Sequence, residues 1–136
     1  MRIKKHYIFL ALLFISITGY SAQERGVIKQ GDKYWIGYGT YFTCSFVKKP
    51  VLGISILRVQ IFDKNGNRNN DYNITGMSGM PAMHAHDYPE TEFKQNKKYD
   101  YIFPVNIVMP GEWEVKIKIT KKQIYVFRGI IKFEVK

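Results

Sequence analysis

From Glu112 to Ile119 the chain alternates one charged residue with one apolar residue without a break, Glu-Trp-Glu-Val-Lys-Ile-Lys-Ile. Side chains repeat every second residue only in an extended strand, so this run places Trp113, Val115, Ile117 and Ile119 on a buried face and the charges on a wet one. The same period recurs elsewhere. Leu57, Val59 and Ile61 alternate with Arg58 and Gln60; Tyr99, Tyr101, Phe103, Val105 and Ile107 form a third face; Ile131, Phe133 and Val135 alternate with Lys132 and Glu134. Residues 34–46 are rich in aromatics and Thr and read as an early strand interrupted by Gly37 and Gly39, which suggest a bulge or close packing. Turn chemistry separates these runs: Asp63-Lys64-Asn65-Gly66-Asn67, Met109-Pro110-Gly111, and a hairpin closed at Lys121-Lys122. No stretch after the first 22 residues has the period of an amphipathic helix. Several short strands at regular spacing around one core predict an all-β fold, an immunoglobulin-like antiparallel β-sandwich.

The first residues are not part of that pattern. Arg2, Lys4 and Lys5 precede an apolar run, residues 7–18 (YIFLALLFISIT), and then the small and polar residues Gly19, Ser21, Ala22 and Gln23. This is the order of a secretory signal peptide over residues 1–22, with cleavage after Ser21 or Ala22. The run is shorter than the ~20 residues that span a bilayer, and an uncleaved inner-membrane anchor is the competing reading. Residues 23–136 then form one domain, without an internal repeat or a linker, in an extracytoplasmic (periplasmic or cell-envelope) setting. The single cysteine, Cys44, has no partner for an internal disulfide, so packing alone holds the domain together. It reads as a small buried hydrophobe in a strand. The chain is +10 at pH 7, and the leader residues Arg2, Lys4 and Lys5 supply three of those charges. The remaining basic residues are dispersed in turns and on strand faces, which fits a solvated surface with weak membrane-surface attraction. Export argues against a nucleic-acid partner.

The compositional anomaly lies in residues 76–86, GMSGMPAMHAH. Of five methionines and three histidines in the chain, Met77, Met80, Met83, His84 and His86 fall there. Thioether sulfur is a soft donor suited to Cu(I), and imidazole suits both oxidation states of copper. Gly79 and Pro81 disfavour a helix, and in an extended segment Met80, His84 and His86 would share one side, with Ala82 leaving space between them. These three are the candidate primary ligands of a copper site, with Met77 and Met83 auxiliary. In that arrangement Met83 faces the core. The opposing reading makes the methionines flexible filler at the open end of a sandwich, with both histidines exposed or bonded to backbone.

The order of features resembles the FixH/YtkA-like family of small exported domains. A strand (ILRVQIFDKNGN) ends in a turn carrying Asp63 and Gly66; Met80, Pro81 and Met83 follow, with His84 and His86 close behind. Then come an aromatic strand (YDYIFPVNI) and MPGEWEVKIKI with Gly111 and Trp113. The resemblance spans residues 54–120. It implies an immunoglobulin-like sandwich outside the cytoplasm, and it associates the domain with metal handling, since FixH members take part in assembling a copper-containing terminal oxidase and related domains occur beside heavy-metal transporters. The aromatic segment at residues 34–46 has no counterpart in the family, and the short apolar leader departs from the membrane anchor of FixH members.

No catalytic constellation is present: scattered serines, one cysteine, and histidines two residues apart offer no nucleophile–base pair, and no glycine-rich phosphate loop opens a helix. The sequence is therefore expected to encode a non-enzymatic binding module. It would buffer copper or deliver it to a membrane oxidase or metal transporter. The alternative is a metal-free protein-interaction domain of an envelope or membrane complex.

Overall fold

A computed structural model describes residues 24–83 and 88–136. The expected signal peptide, residues 1–22, lies outside the described residues, as do His84 and His86. Ten strands follow in order: β1 (Glu24–Val27), β2 (Tyr34–Gly37), β3 (Thr40–Phe46), β4 (Gly53–Phe62), β5 (Asn73–Gly79), β6 (Thr91–Glu92), β7 (Lys94–Gln95), β8 (Tyr101–Ile107), β9 (Gly111–Lys121) and β10 (Ile124–Val135). They form two five-stranded sheets, ordered β1-β10-β9-β5-β6 and β2-β3-β4-β8-β7. Pairing is antiparallel except that β1 runs parallel to β10. The orders β3-β4-β8-β7 and β10-β9-β5-β6 are those of the two sheets of an immunoglobulin-type sandwich, in which a chain alternates between layers by long crossovers. The fold is thus an immunoglobulin-like β-sandwich.

The alternating residues do what their spacing requires. Trp113, Val115, Ile117 and Ile119 of β9, Leu57, Val59 and Ile61 of β4, and Tyr101, Phe103, Val105 and Ile107 of β8 are all buried between the layers. Aromatic pairs bolt one sheet to the other. Phe42 of β3 meets Phe127 of β10 edge-on at 4.7 Å, and Phe46 meets Phe133 at 4.7 Å, each pair adding about 0.5–1.5 kcal/mol beyond the area it buries. Gly76 of β5 faces inward where the stacked rings of Phe93 and Phe103 fill the layer; a Cβ there would lie 2.7 Å from Phe93. Cys44 is fully buried in β3.

Three local expectations are refined. Residues 34–46 are two strands, not one: Tyr38 (φ 53°) and Gly39 (φ 71°) form a two-residue hairpin turn, and the register shifts between Trp35 and Gly37. Both central residues of the turn have positive φ, the geometry that matches strand twist. Tyr99 leaves the aromatic face of β8. Its φ is 61° and it is exposed, because it closes the turn begun by Asn96, whose carbonyl accepts the Tyr99 N–H at 3.1 Å. The last hairpin turns at Lys122 and Gln123 (φ 49° and 66°), one residue later than the lysine pair suggests. The Asp63 turn forms as expected: its Oδ1 accepts the N–H groups of Asn65 (2.8 Å) and Asn67 (3.0 Å).

Candidate functional site

Strand β5 decides where the methionines go. Ile74, Gly76 and Ser78 face inward, Thr75 and Met77 outward, and the alternation carries on past the strand to Met80. Met80 is therefore a core residue, 5% exposed, under the turn that precedes β9. That turn is fixed by the Trp113 indole, whose Nε1–H donates to the Met109 carbonyl at 3.0 Å. Gly111 leaves room for the Met80 methyl. Pro81 and Ala82 then reverse the chain, and the Met83 N–H donates to the Met80 carbonyl at 3.0 Å. Met83 emerges 40% exposed. The expected sides are thus exchanged: Met80 points into the sandwich and Met83 out of it. The alternation itself holds; which side is inward is given by Ile74, at the start of β5. Met77 is half-buried on the outer face of β5, separated from Met80 by the sheet itself. The chain returns at Tyr88, whose N–H donates to the Ser78 carbonyl at 2.9 Å. Met83 and Tyr88 are thus both bonded to backbone at or just past the end of β5. Among the described residues no three His, Cys, Asp or Glu side chains come together.

A second feature lies on the outer face of the same sheet. In cross-strand register, Met77, Lys116 and Ile130 form one row, and Thr75, Lys118 and Arg128 the next. The Glu90 carboxylate closes the side of the second row, taking a hydrogen bond from Thr75 Oγ1 at 2.6 Å and one from Lys118 Nζ at 3.0 Å. The Thr75 bond and then the Lys118 bond hold its pKa below the usual carboxylate range, and the bond to Glu90 raises that of Lys118. The ring of Tyr125 stacks beneath both cations, its centroid 4.2 Å from the Arg128 guanidinium carbon and 5.1 Å from Lys118 Nζ; hydrogen bonding from Arg128 and Lys118, and then their charge, lowers the phenol pKa. The rows enclose a hollow of about 510 Å³. The sequence shows Lys116 and Lys118 only as the wet side of a strand. Their placement opposite Ile130 and Arg128 depends on the β9–β10 register, which the turn at Lys122-Gln123 and the one-residue shift between Tyr125 and Phe127 set together.

The opposite sheet carries an aromatic row on its outer face. Trp35, Tyr41 and Phe62 stand in cross-strand register with centroids 5.0 Å apart at each step, flanked by Lys33 over Tyr41 and Arg68 over Phe62. The other tyrosines of these segments are dispersed: Tyr101 is in the core, Tyr34 packs against it, and Tyr38 and Tyr99 are exposed. Cys44 is shielded by burial, which pushes its thiol pKa up to about 12.

No protein-family model matches the chain, and no curated protein matches it. Among solved structures, the CARDB domain of a Pyrococcus furiosus protein, determined in complex with di-metal ions, is similar over 69% of this chain and 84% of its own, at 12% identity and a TM-score of 0.37.

Proposed function

We propose that this chain is an exported metal-handling module of FixH/YtkA-like type that takes copper at the rim beyond β5 and buffers it or passes it to a membrane oxidase or metal transporter. The observation that carries the reading is the exchange of sides across Pro81-Ala82. Met80 anchors the turn in the core, and Met83 leaves it exposed directly before His84. The donor set is then Met83, His84 and His86, one thioether and two imidazoles, a mixture suited to copper in an oxidising compartment. Met80 supports the turn instead of binding the ion, and Met77 stands on the other side of the sheet.

Titration of Cu(I) into the protein against a competing chelator tests this. Met83→Leu and the double change His84→Ala/His86→Ala are each expected to weaken binding at least tenfold, while Met80→Leu leaves affinity unchanged. Wild-type affinity no better than that of the His84/His86 variant would remove the proposal.

The aromatic row Trp35, Tyr41 and Phe62 favours a second reading, a metal-free interaction domain docking on an envelope or membrane protein. Trp35 is 57% exposed, a large apolar surface of the kind that anchors interfaces. Crosslinking through a photoreactive residue at position 33, beside the row, in intact membranes, with loss of the product on Trp35→Ala, is the result this reading requires.

A further inference from the structure

The loop between β3 and β4, with the strand ends beside it, leaves one corner of the β2-β3-β4-β8-β7 sheet apolar on its outer side. Val47, Val51, Leu52, Ile54 and Val108 are all exposed there, between 48% and 61%. Register makes them neighbours. Phe46 pairs with Leu57 and Gly53 with Ile107, so one further step of each ladder sets Val47 beside Ile56 and Leu52 beside Val108. The Val47 N–H donates to the Ile56 carbonyl at 2.9 Å. Aliphatic side chains gathered in this way mark a docking surface, which scattered ones do not.

The loop holds those side chains out in a fixed form. The buried Ser55 hydroxyl accepts the Val51 N–H at 3.1 Å and donates to the Val51 carbonyl at 3.2 Å. Pro50 has no N–H of its own. With both backbone groups of Val51 already met, taking the tip out of water costs less.

Charge and composition select the occupant. Lys48 and Lys49 are exposed immediately before the tip. The corner is built from residues 47–62 and 101–111, and neither segment contains an Asp or Glu. Protein interfaces are enriched in aromatic residues and Arg and depleted in Lys. This corner is the reverse, five aliphatic side chains beside two lysines. Aliphatic groups at the acyl boundary with lysines at the phosphates are the chemistry of a protein resting on an anionic bilayer, and long lysine stems let the ammonium groups stay at headgroup level.

We propose that this corner docks on an anionic lipid surface, with Val51 and Leu52 entering the headgroup–acyl boundary and Lys48 and Lys49 at the lipid phosphates. The proposal is independent of the Met83 reading, and its test contains no copper.

A probe that brightens on leaving water, such as NBD, is attached to the full chain at Val108→Cys; the buried Cys44 does not compete for the label. A second labelled protein carries it at Gln123→Cys, in the exposed turn at the other end of β9. The apolar run at residues 7–18 can bring the chain to any vesicle, so the readout is which position leaves water, not co-sedimentation. Vesicles of equal parts phosphatidylglycerol and phosphatidylcholine are expected to brighten the probe at position 108 at least twofold and to leave that at position 123 unchanged. Pure phosphatidylcholine should give less than half of that gain. Val51→Ser/Leu52→Ser and Lys48→Gln/Lys49→Gln, added to the Val108→Cys protein, should each remove at least half of it. No response at position 108, an equal response to both kinds of vesicle, an equal response at position 123, or a full response in either double variant would overturn the proposal. So would a chain that dimerises in sedimentation velocity without lipid and loses the dimer in Val51→Ser/Leu52→Ser, which would make a second copy the occupant.

Discussion

The Met80 methyl carbon lies only 2.9 Å from where a Cβ on Gly111 would stand. Gly111 also has φ 134°, a conformation that side chains rarely adopt. Gly111→Ala therefore meets both backbone strain and a clash with a core residue, and is expected to lower stability by about 1–3 kcal/mol. Met80→Ala empties the same place and should cost ~2–5 kcal/mol, whereas Met80→Leu should cost less than about 1.5 kcal/mol. The two alanine changes should be less than additive, because removing the Met80 methyl relieves the crowding at Gly111. Denaturant unfolding of the four variants checks the set.

Asp100 is a buried carboxylate outside both candidate sites. It accepts from Arg68 Nε at 2.9 Å and from Gln60 Nε2 at 3.1 Å, and its own N–H is held by Asn96 Oδ1 at 3.0 Å. Asp100→Ala strands two donors, but Arg68 is 31% exposed and can turn to water. The expected loss is about 2 kcal/mol, within the range for stranding hydrogen-bond donors and below that for breaking a fully buried charged pair. Urea unfolding of Asp100→Ala and of Asp100→Ala/Arg68→Ala should show part of that loss recovered in the double variant.

Cys44 will not react in the native protein. Burial both blocks access and raises its pKa to about 12, so almost no thiolate is present at pH 8. A thiol reagent such as DTNB should label it only after guanidinium unfolding. Rapid labelling of folded protein would contradict the placement of β3 in the core.

Glu90 gives the protein a specific acid sensitivity. Its pKa is lower folded than unfolded because Thr75 and Lys118 donate to the ionised form. Its contribution is complete above the ordinary carboxylate range and is lost as pH falls through the folded value. A carboxyl-carbon NMR titration should give a midpoint below 4.5, the unperturbed value, and Glu90→Gln should flatten the acid side of the thermal stability profile. The effect should be small and should weaken with added salt, since the side chain is 43% exposed.

The sandwich was legible because burial writes itself into a strand with period two. Trp113 to Ile119 and Leu57 to Ile61 face the core as their alternation requires. Side-chain direction was harder at Met80 and Met83. The alternation holds, with Met80 and Met83 on opposite sides, but the short run around Pro81 does not state which side is the core; the inward Ile74 in β5 does. The Arg128 hollow was not legible at all, because nothing in one strand states which residue of the next stands opposite it. Asp100 looks in sequence like one more turn acid after Lys97-Lys98; only the meeting of β4, β8 and the loop holding Arg68 makes it structural.

The turn at Lys122-Gln123 has a consequence for how the chain acquires its shape. It joins the two longest strands, eleven and twelve residues, through the shortest possible connection. The β5–β9 pairing in the same layer must wait for a distant segment to arrive, at the entropic cost of closing a larger loop. This ribbon can zip from its own end and then serve as the template on which β5 and β1 are laid down. Its two apex residues both adopt left-handed backbone without a glycine, so the speed of that first step is held back at a single pair of residues, and Asn-Gly at 122–123 should quicken it.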